Sequence, residues 1–116
     1  MEPNPRACVA YIVARLVSPS GGSAIYDYSR SKYIQFSGTI AASGINIYDY
    51  SRGCFLAGSL SSLYDHGRKA YISIMLNGNH FTGYDYADKK HFSGHVDGKS
   101  VTLYDHSDGK YYRYST

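Results

Sequence analysis

The chain has no tryptophan, only three prolines and two cysteines, and no apolar run near the roughly 20 residues a membrane-spanning helix needs. No transmembrane segment is therefore expected. Charged residues are 18% of the chain, too few for a disordered segment or a long solvated helix. Cys8 and Cys54 stand apart, with no CxxC or CxxH spacing for zinc or a redox pair. They read as two reduced, partly buried thiols of a cytosolic protein, with a disulfide between them as the alternative. No Ser-His-Asp ordering, no carboxylate pair in a unique context and no phosphate-binding glycine loop stands out. The chain reads as a non-enzyme, with no catalytic residue and no cofactor assigned.

Metal chemistry is equally poorly equipped. His80, His91 and His95 lack ligand spacing, and the adjacent pairs Asp65-His66 and Asp105-His106 point to opposite faces of a strand. The net charge of +3 is too small to imply nucleic acid as a partner. The apolar stretch Ala7 to Val17 is short, carries Arg15 and follows Glu2 and two prolines rather than a basic start, so it does not read as a signal peptide. A cytoplasmic protein is expected, with peripheral membrane association as the further option.

What the chain does have is tyrosine and repetition. Hydrophobic residues are 43% of the chain, and Tyr supplies 14 of them. A Tyr-Asp-aromatic tripeptide recurs as Tyr26-Asp27-Tyr28, Tyr48-Asp49-Tyr50, Tyr64-Asp65-His66, Tyr84-Asp85-Tyr86 and Tyr104-Asp105-His106, at spacings of 22, 16, 20 and 20 residues. That periodicity is the mark of a repeat architecture. A polar, turn-rich stretch follows each copy, ending in the hairpin signal Asp108-Gly109 in the last. A second apolar segment comes next, often with glycine near its middle, as in Leu56-Ala57-Gly58-Ser59-Leu60.

Each unit thus reads as a β-hairpin, and no segment offers a helical period. Val9 to Val17 reads as one more second strand, and residues 1 to 7 as an irregular lead. Hairpins in a row leave two exposed edges, which closure removes. The expectation is all-β: a single domain, residues 1–116, forming a closed pseudo-symmetric up-and-down barrel or ring of about five hairpins, with 10 or 11 strands. An odd count would force a parallel closure, or leave Val9 to Val17 packed outside the ring.

Strand alternation places Ile25 with Asp27, Ile47 with Asp49, Leu63 with Asp65 and Leu103 with Asp105 on one face. The motif tyrosines Tyr26, Tyr48, Tyr64, Tyr84 and Tyr104 share the other. Which face is the core is left open. The motif Asp residues sit just before turns, where a carboxylate accepts hydrogen bonds from turn amides; a ring binding a cation or sugar hydroxyls is the rival reading. Glycine between bulky neighbours in the second strands suggests crowding near a symmetry axis.

With the motif turns at one end, that rim gathers Arg30, Lys32, Arg52, Arg68, Lys69, Lys89, Lys90 and Lys110, eight of the twelve basic residues. The opposite rim, including 18–22 and 41–44, is nearly neutral. The pattern of Tyr-Asp hairpins, Gly-Lys or Arg-Lys turns and small-residue second strands, over about Ile25 to Tyr114, resembles the β-flower family, small bacterial proteins of hairpins arranged around an axis. The resemblance implies a shallow barrel similar to Tubby-like and scramblase barrels but without their central helix. It also implies a hydrophobic centre that accommodates an acyl chain or other amphiphile.

The function expected is a binding module for an amphiphilic or anionic, lipid-like ligand. Ile25, Ile47, Leu63 and Leu103 would line a central apolar channel, and Arg30, Arg52, Arg68, Lys69, Lys89 and Lys90 would ring its mouth. The alternatives are a lectin-like module, in which repeated Tyr, Asp, Asn and His bind a glycan with multivalent avidity, and a protein-interaction or immunity scaffold.

Overall fold

The computed structural model describes residues 1–19, 22–41 and 43–116. The predicted linkers 18–22 and 41–44 therefore lie partly outside the described residues. A helix, α1 (Pro3–Val17), precedes β1 (Ala24–Asp27), β2 (Lys32–Ala41), β3 (Gly44–Asp49), β4 (Cys54–Ser59), β5 (Ser62–Asp65), β6 (Ala70–Asn77), β7 (His80–Asp85), β8 (Lys90–Asp97), β9 (Ser100–Asp105) and β10 (Lys110–Ser115). These ten strands, the ones among the described residues, pair antiparallel with their sequence neighbours, and β1 pairs with β10 to close the barrel. The count is even, so the closure is antiparallel and the parity problem of an eleventh strand does not arise.

Val9 to Val17 is the main correction. It is neither a strand nor packed outside: it is the C-terminal part of α1, which begins at Pro3, so of residues 1 to 7 only Met1 and Glu2 precede regular structure. Ala7, Cys8, Val9, Ala10, Tyr11, Ile12, Val13 and Ala14 are all buried and form one core with Ile25, Ile34, Phe36, Ile47, Leu56, Leu63, Ile72, Phe81, Phe92 and Leu103 from the strands. A helix surrounded by a barrel wall must be apolar on every side, and such a helix shows no amphipathic period. The absence of that period misled the sequence reading. Proline in the first turn is tolerated because its missing N–H would have no helical partner there.

The centre is therefore solid. Ile25, Ile47, Leu63 and Leu103 are each wholly buried and face α1 within a packed core rather than an open channel. This also departs from the helix-free centre that the β-flower resemblance implies. The question of faces is settled: aliphatic and Asp positions point inward, and the motif tyrosines form the outer wall.

The repeat is regular in its middle and offset at its seam. Leu56, Ile72 and Phe92, each seven residues after a motif Asp, lie opposite the next motif's Asp65, Asp85 and Asp105. On either side of the β1–β2 hairpin the pairing slips by two residues, so that Phe36 meets Asp49 and Tyr114 meets Asp27. The slipped strands carry aromatic contacts to α1: Tyr11 stacks on Phe36 with ring centroids 5.2 Å apart, and the Arg6 guanidinium lies 3.4 Å from the Tyr112 ring centroid.

Glycine in the second strands is explained by crowding of another kind than the one expected. A Cβ at Gly38 or Gly58 would overlap the carbonyl oxygen of Asn46 or Ser62 on the adjoining strand, and both residues have positive φ. The neighbouring backbone sets the limit, not an axis.

Because α1 is packed on all sides, Ile12→Ala should leave a cavity in the centre and lower the unfolding free energy by about 2–4 kcal/mol. Urea titration followed by far-UV circular dichroism measures this. A loss below about 1 kcal/mol would mean that the helix is not a core element.

Candidate functional site

The motif turns form one end of the barrel, and the charges there are sorted by depth. Asp27, Asp49, Asp65, Asp85 and Asp105 are buried at the strand ends, each 2% exposed or less. A buried carboxylate needs hydrogen bonds and a counter-charge to remain ionised. The turn supplies the first: the backbone N–H groups of Ser29, Ser51, Gly67, Ala87 and Ser107 donate to Oδ1 of Asp27, Asp49, Asp65, Asp85 and Asp105 at 2.9–3.3 Å. The turn-amide reading of these residues is thus borne out.

The counter-charge comes from residues that the sequence places on an open rim. Arg30, Arg52 and Arg68 each stand three residues after a motif Asp and donate from Nε to its Oδ2 at 2.7–2.8 Å. Two of them also reach the next repeat: Arg52 Nη1 donates to both oxygens of Asp65 at 3.1 Å, and Arg68 Nη1 to Asp85 at 2.8 Å. Arg30 instead donates to Asn4 Oδ1, while Asn4 Nδ2 donates to Asp49 at 2.9 Å, so the first turn of α1 is a link in the ring.

In the last two copies the Arg position holds Asp88 and Asp108. Positive charge arrives there from Met1, just before α1, and from Arg6 in its first turn. The Met1 ammonium lies 2.7 Å from both Asp88 and Asp105 and donates to Ser107 Oγ at 2.8 Å, and Arg6 Nη1 stands 3.4 Å from Asp105. Arg6 also donates to Tyr114 Oη at 3.2 Å.

Titration follows from this wiring. Burial pushes the Asp65 carboxyl up, but hydrogen bonds from Arg68 and Arg52 outweigh it and hold Asp65 below the usual carboxylate range. Asp105 ends low as well, because the Met1 ammonium and Ser107 overcome its desolvation. Asp85 receives one arginine and stands near Asp88, and its burial wins: its carboxyl is raised. The Met1 ammonium loses by desolvation and gains more from Asp105 and Asp88, so it titrates above its ordinary value.

Outside this ring lie the lysines. Lys32, Lys69, Lys89, Lys90 and Lys110 are exposed, and among the described residues none forms an ion pair. Of the six basic residues assigned to the mouth, Arg30, Arg52 and Arg68 are therefore structural, and Lys69, Lys89 and Lys90 face solvent.

Each turn closes through a residue in the left-handed region, four after the motif Asp: Ser31, Gly53, Lys69, Lys89 and Gly109, with φ between 53° and 68°. The expected two-residue turn at Asp108-Gly109 is in fact this longer one, in which the Gly109 N–H donates to the Asp105 carbonyl at 2.8 Å. A residue with a Cβ pays about 1–2 kcal/mol in that conformation, which glycine avoids.

The outer wall beside each turn carries three aromatic rings. Tyr26 packs between Tyr28 and Tyr33, Tyr48 between Tyr50 and Phe55, Tyr64 between His66 and Tyr71, Tyr84 between Tyr86 and His91, and Tyr104 between His106 and Tyr111, with centroids 4.7–5.1 Å apart. The central Tyr is half-buried, whereas flanking rings such as Tyr33 and Tyr111 are 71% and 72% exposed. The sequence reading missed the third ring, although an aromatic side chain stands six residues after every motif Asp. It also missed the Asp-x-x-Arg spacing of the first three copies and the roles of Asn4 and Arg6.

Two grooves cross this wall. One, of about 490 Å³ over β7 to β10, is lined by His80, Thr82, Ser93, His95, Thr102 and Tyr111 among others; the other, of about 450 Å³ over β3 to β5, by Asn46, Cys54, Phe55, Ala57 and His66. His80 and His95 face each other across the strands, with centroids 5.9 Å apart, and no cluster of three metal-ligating side chains occurs among the described residues. Cys8 and Cys54 are free thiols; burial pushes both upward, Cys8 the more strongly.

Arg52→Leu would strand carboxylates on two repeats and should cost about 3–5 kcal/mol, measured by urea unfolding. Stability should also depend on pH at both ends. The lowered Asp27, Asp65 and Asp105 contribute above their unfolded values near pH 4, and that contribution is lost as pH falls through their folded values; Asp85 opposes them. The raised Met1 ammonium contributes below about pH 8, and its share is lost as pH rises through its folded value. Urea midpoints should therefore fall on both sides of a plateau, and a flat profile would contradict the ring. No protein-family model, curated protein or solved structure matches this chain.

Proposed function

We propose that the protein is a non-enzymatic binding module whose turn end engages an anionic, amphiphilic partner, a lipid headgroup layer. The carrying observation is the sorting of charge by depth. The five motif acids of this end are buried and neutralised from within, and Asp88 is held by the Met1 ammonium, so that five exposed lysines outnumber the exposed Asp88 and Asp108 on its outward face, above a corona of exposed Tyr rings. Each Lys close to an anionic membrane is worth about 1 kcal/mol, and Tyr is suited to the headgroup level because its ring is apolar and its tip polar. The ligand is met at the surface, since α1 fills the centre where an acyl chain was expected to lie. The β-flower resemblance is retained as part of this proposal.

The groove over β7 to β10 favours a second reading, a glycan site. Its lining is neutral and rich in hydroxyl and imidazole groups beside the Tyr104 and Tyr111 rings, suited to bonding sugar hydroxyls and stacking on a sugar face. A glycan array tests it, with binding lost in Ser93→Ala/His95→Ala if the reading is right and retained if it is not.

The leading reading predicts co-sedimentation with phosphatidylserine-containing vesicles that weakens as salt is raised, and none with phosphatidylcholine alone. Absence of binding to anionic vesicles at low salt would end it.

A further inference from the structure

The five motif turns make the same backbone demand and answer it differently. The position four after the motif Asp is left-handed in all of them, and two copies fill it with glycine, Gly53 and Gly109. The third and fourth copies fill it with Lys69 (φ 55°) and Lys89 (φ 57°). Lysine has no local hydrogen bond with which to offset that conformation, unlike Asn or Asp. The sister copies show that the turn closes on glycine: the N–H of Gly53, Gly109 and Lys89 alike donates to the motif Asp carbonyl at 2.8 Å. Strain kept where a relaxed alternative is at hand points to use rather than folding.

The two strained lysines are also neighbours. The β5–β6 turn carrying Lys69 and the β7–β8 turn carrying Lys89 and Lys90 are adjacent around the barrel. The one acid of these turns besides the buried motif Asp residues is Asp88, whose carboxylate is held 2.7 Å from the Met1 ammonium. The sector is flanked by exposed Tyr71 and Tyr86. It presents three unpaired ammonium groups with amphipathic rings beside them, and among the described residues no carboxylate outside the inner ring answers them.

We infer that Lys69, Lys89 and Lys90 form the docking sector of the barrel for an anionic phospholipid bilayer, with Lys69 and Lys89 retained at a cost in stability for that purpose. This rests on the proposed membrane-binding reading and names the part of the rim that carries it. The left-handed backbone closes every motif turn, Ser31, Gly53 and Gly109 included; what recognition adds in the third and fourth is the lysine side chain.

The test is the full chain with Lys69→Gly/Lys89→Gly, assayed on phosphatidylserine-containing vesicles and by thermal unfolding. Vesicle partitioning should fall at least about tenfold. The Tm should be unchanged or a few degrees higher, since glycine relieves the turn (about 4 °C for the pair). Lys69→Arg/Lys89→Arg should keep binding, and Lys99→Gln, which removes one charge at the opposite rim, should leave it unaltered. If the parent binds and the glycine variant binds equally well, the sector assignment fails while membrane binding stands. If the variant is less stable than the parent, lysine at these positions serves the fold and the inference is overturned. A parent that binds no anionic vesicle but is retained on heparin has a soluble polyanion as its partner, which overturns both.

Discussion

Five carboxylates held out of water at one end of a small barrel set the terms for the rest of the molecule. Each must be supplied with donors and positive charge, and the supply comes from three sources: turn amides, arginines three residues along, and the start of the helix. Arg52 and Arg68 each serve two repeats, so a neutralising contact is also a contact between hairpins. Where the arginines stop, Met1 and Arg6 continue the ring. The helix is therefore joined to the barrel by apolar packing along its length and by ionic links at its first turn. A hydrophobic replacement for the whole ring could match its stability, but removing one member leaves a buried charge without a partner.

The same arrangement decides what the surface can do. Had the arginines been free, the turn end would have carried nearly balanced charge, acid beside base. Because the motif acids and the arginines neutralise each other below the surface, the exposed remainder is five lysines against Asp88 and Asp108, with tyrosine beside them, and the character of the face follows from burial rather than from net charge. A chain of net charge +3 can thus present an end on which exposed lysines outnumber exposed acids.

Much of this was legible in the sequence, and the parts that were not share a cause. Repetition of Tyr-Asp revealed the hairpins, their closure and the shared face of Ile25 and Asp27, because a two-residue alternation leaves little freedom within a strand; that this face points inward is seen only once the helix fills the centre. The helix was not legible, since the run from Val9 to Ala14 is apolar on all sides and looks alike as helix or strand. Nor was the division of labour between Arg52 and Lys69, adjacent in kind and opposite in role. Depth separates them, and depth depends on a three-residue spacing whose meaning emerges only when the neighbouring repeat is in place. The outer grooves likewise need strands paired in three dimensions: His80 and His95 become neighbours only through the β7–β8 register.

The slipped seam beside β1 has a consequence for motion. Most neighbouring strands are zipped through four to six residue pairs, yet β1 and β10 share two, Tyr26 with Ser115 and Asp27 with Tyr114. A closed wall around an enclosed rod can breathe only by parting somewhere, and the shortest ladder is the least costly place to part. Amide protons along that join would be traded with solvent sooner than those of β7 and β8. The same join is the gate through which the rod must pass if the cylinder is sealed last during folding.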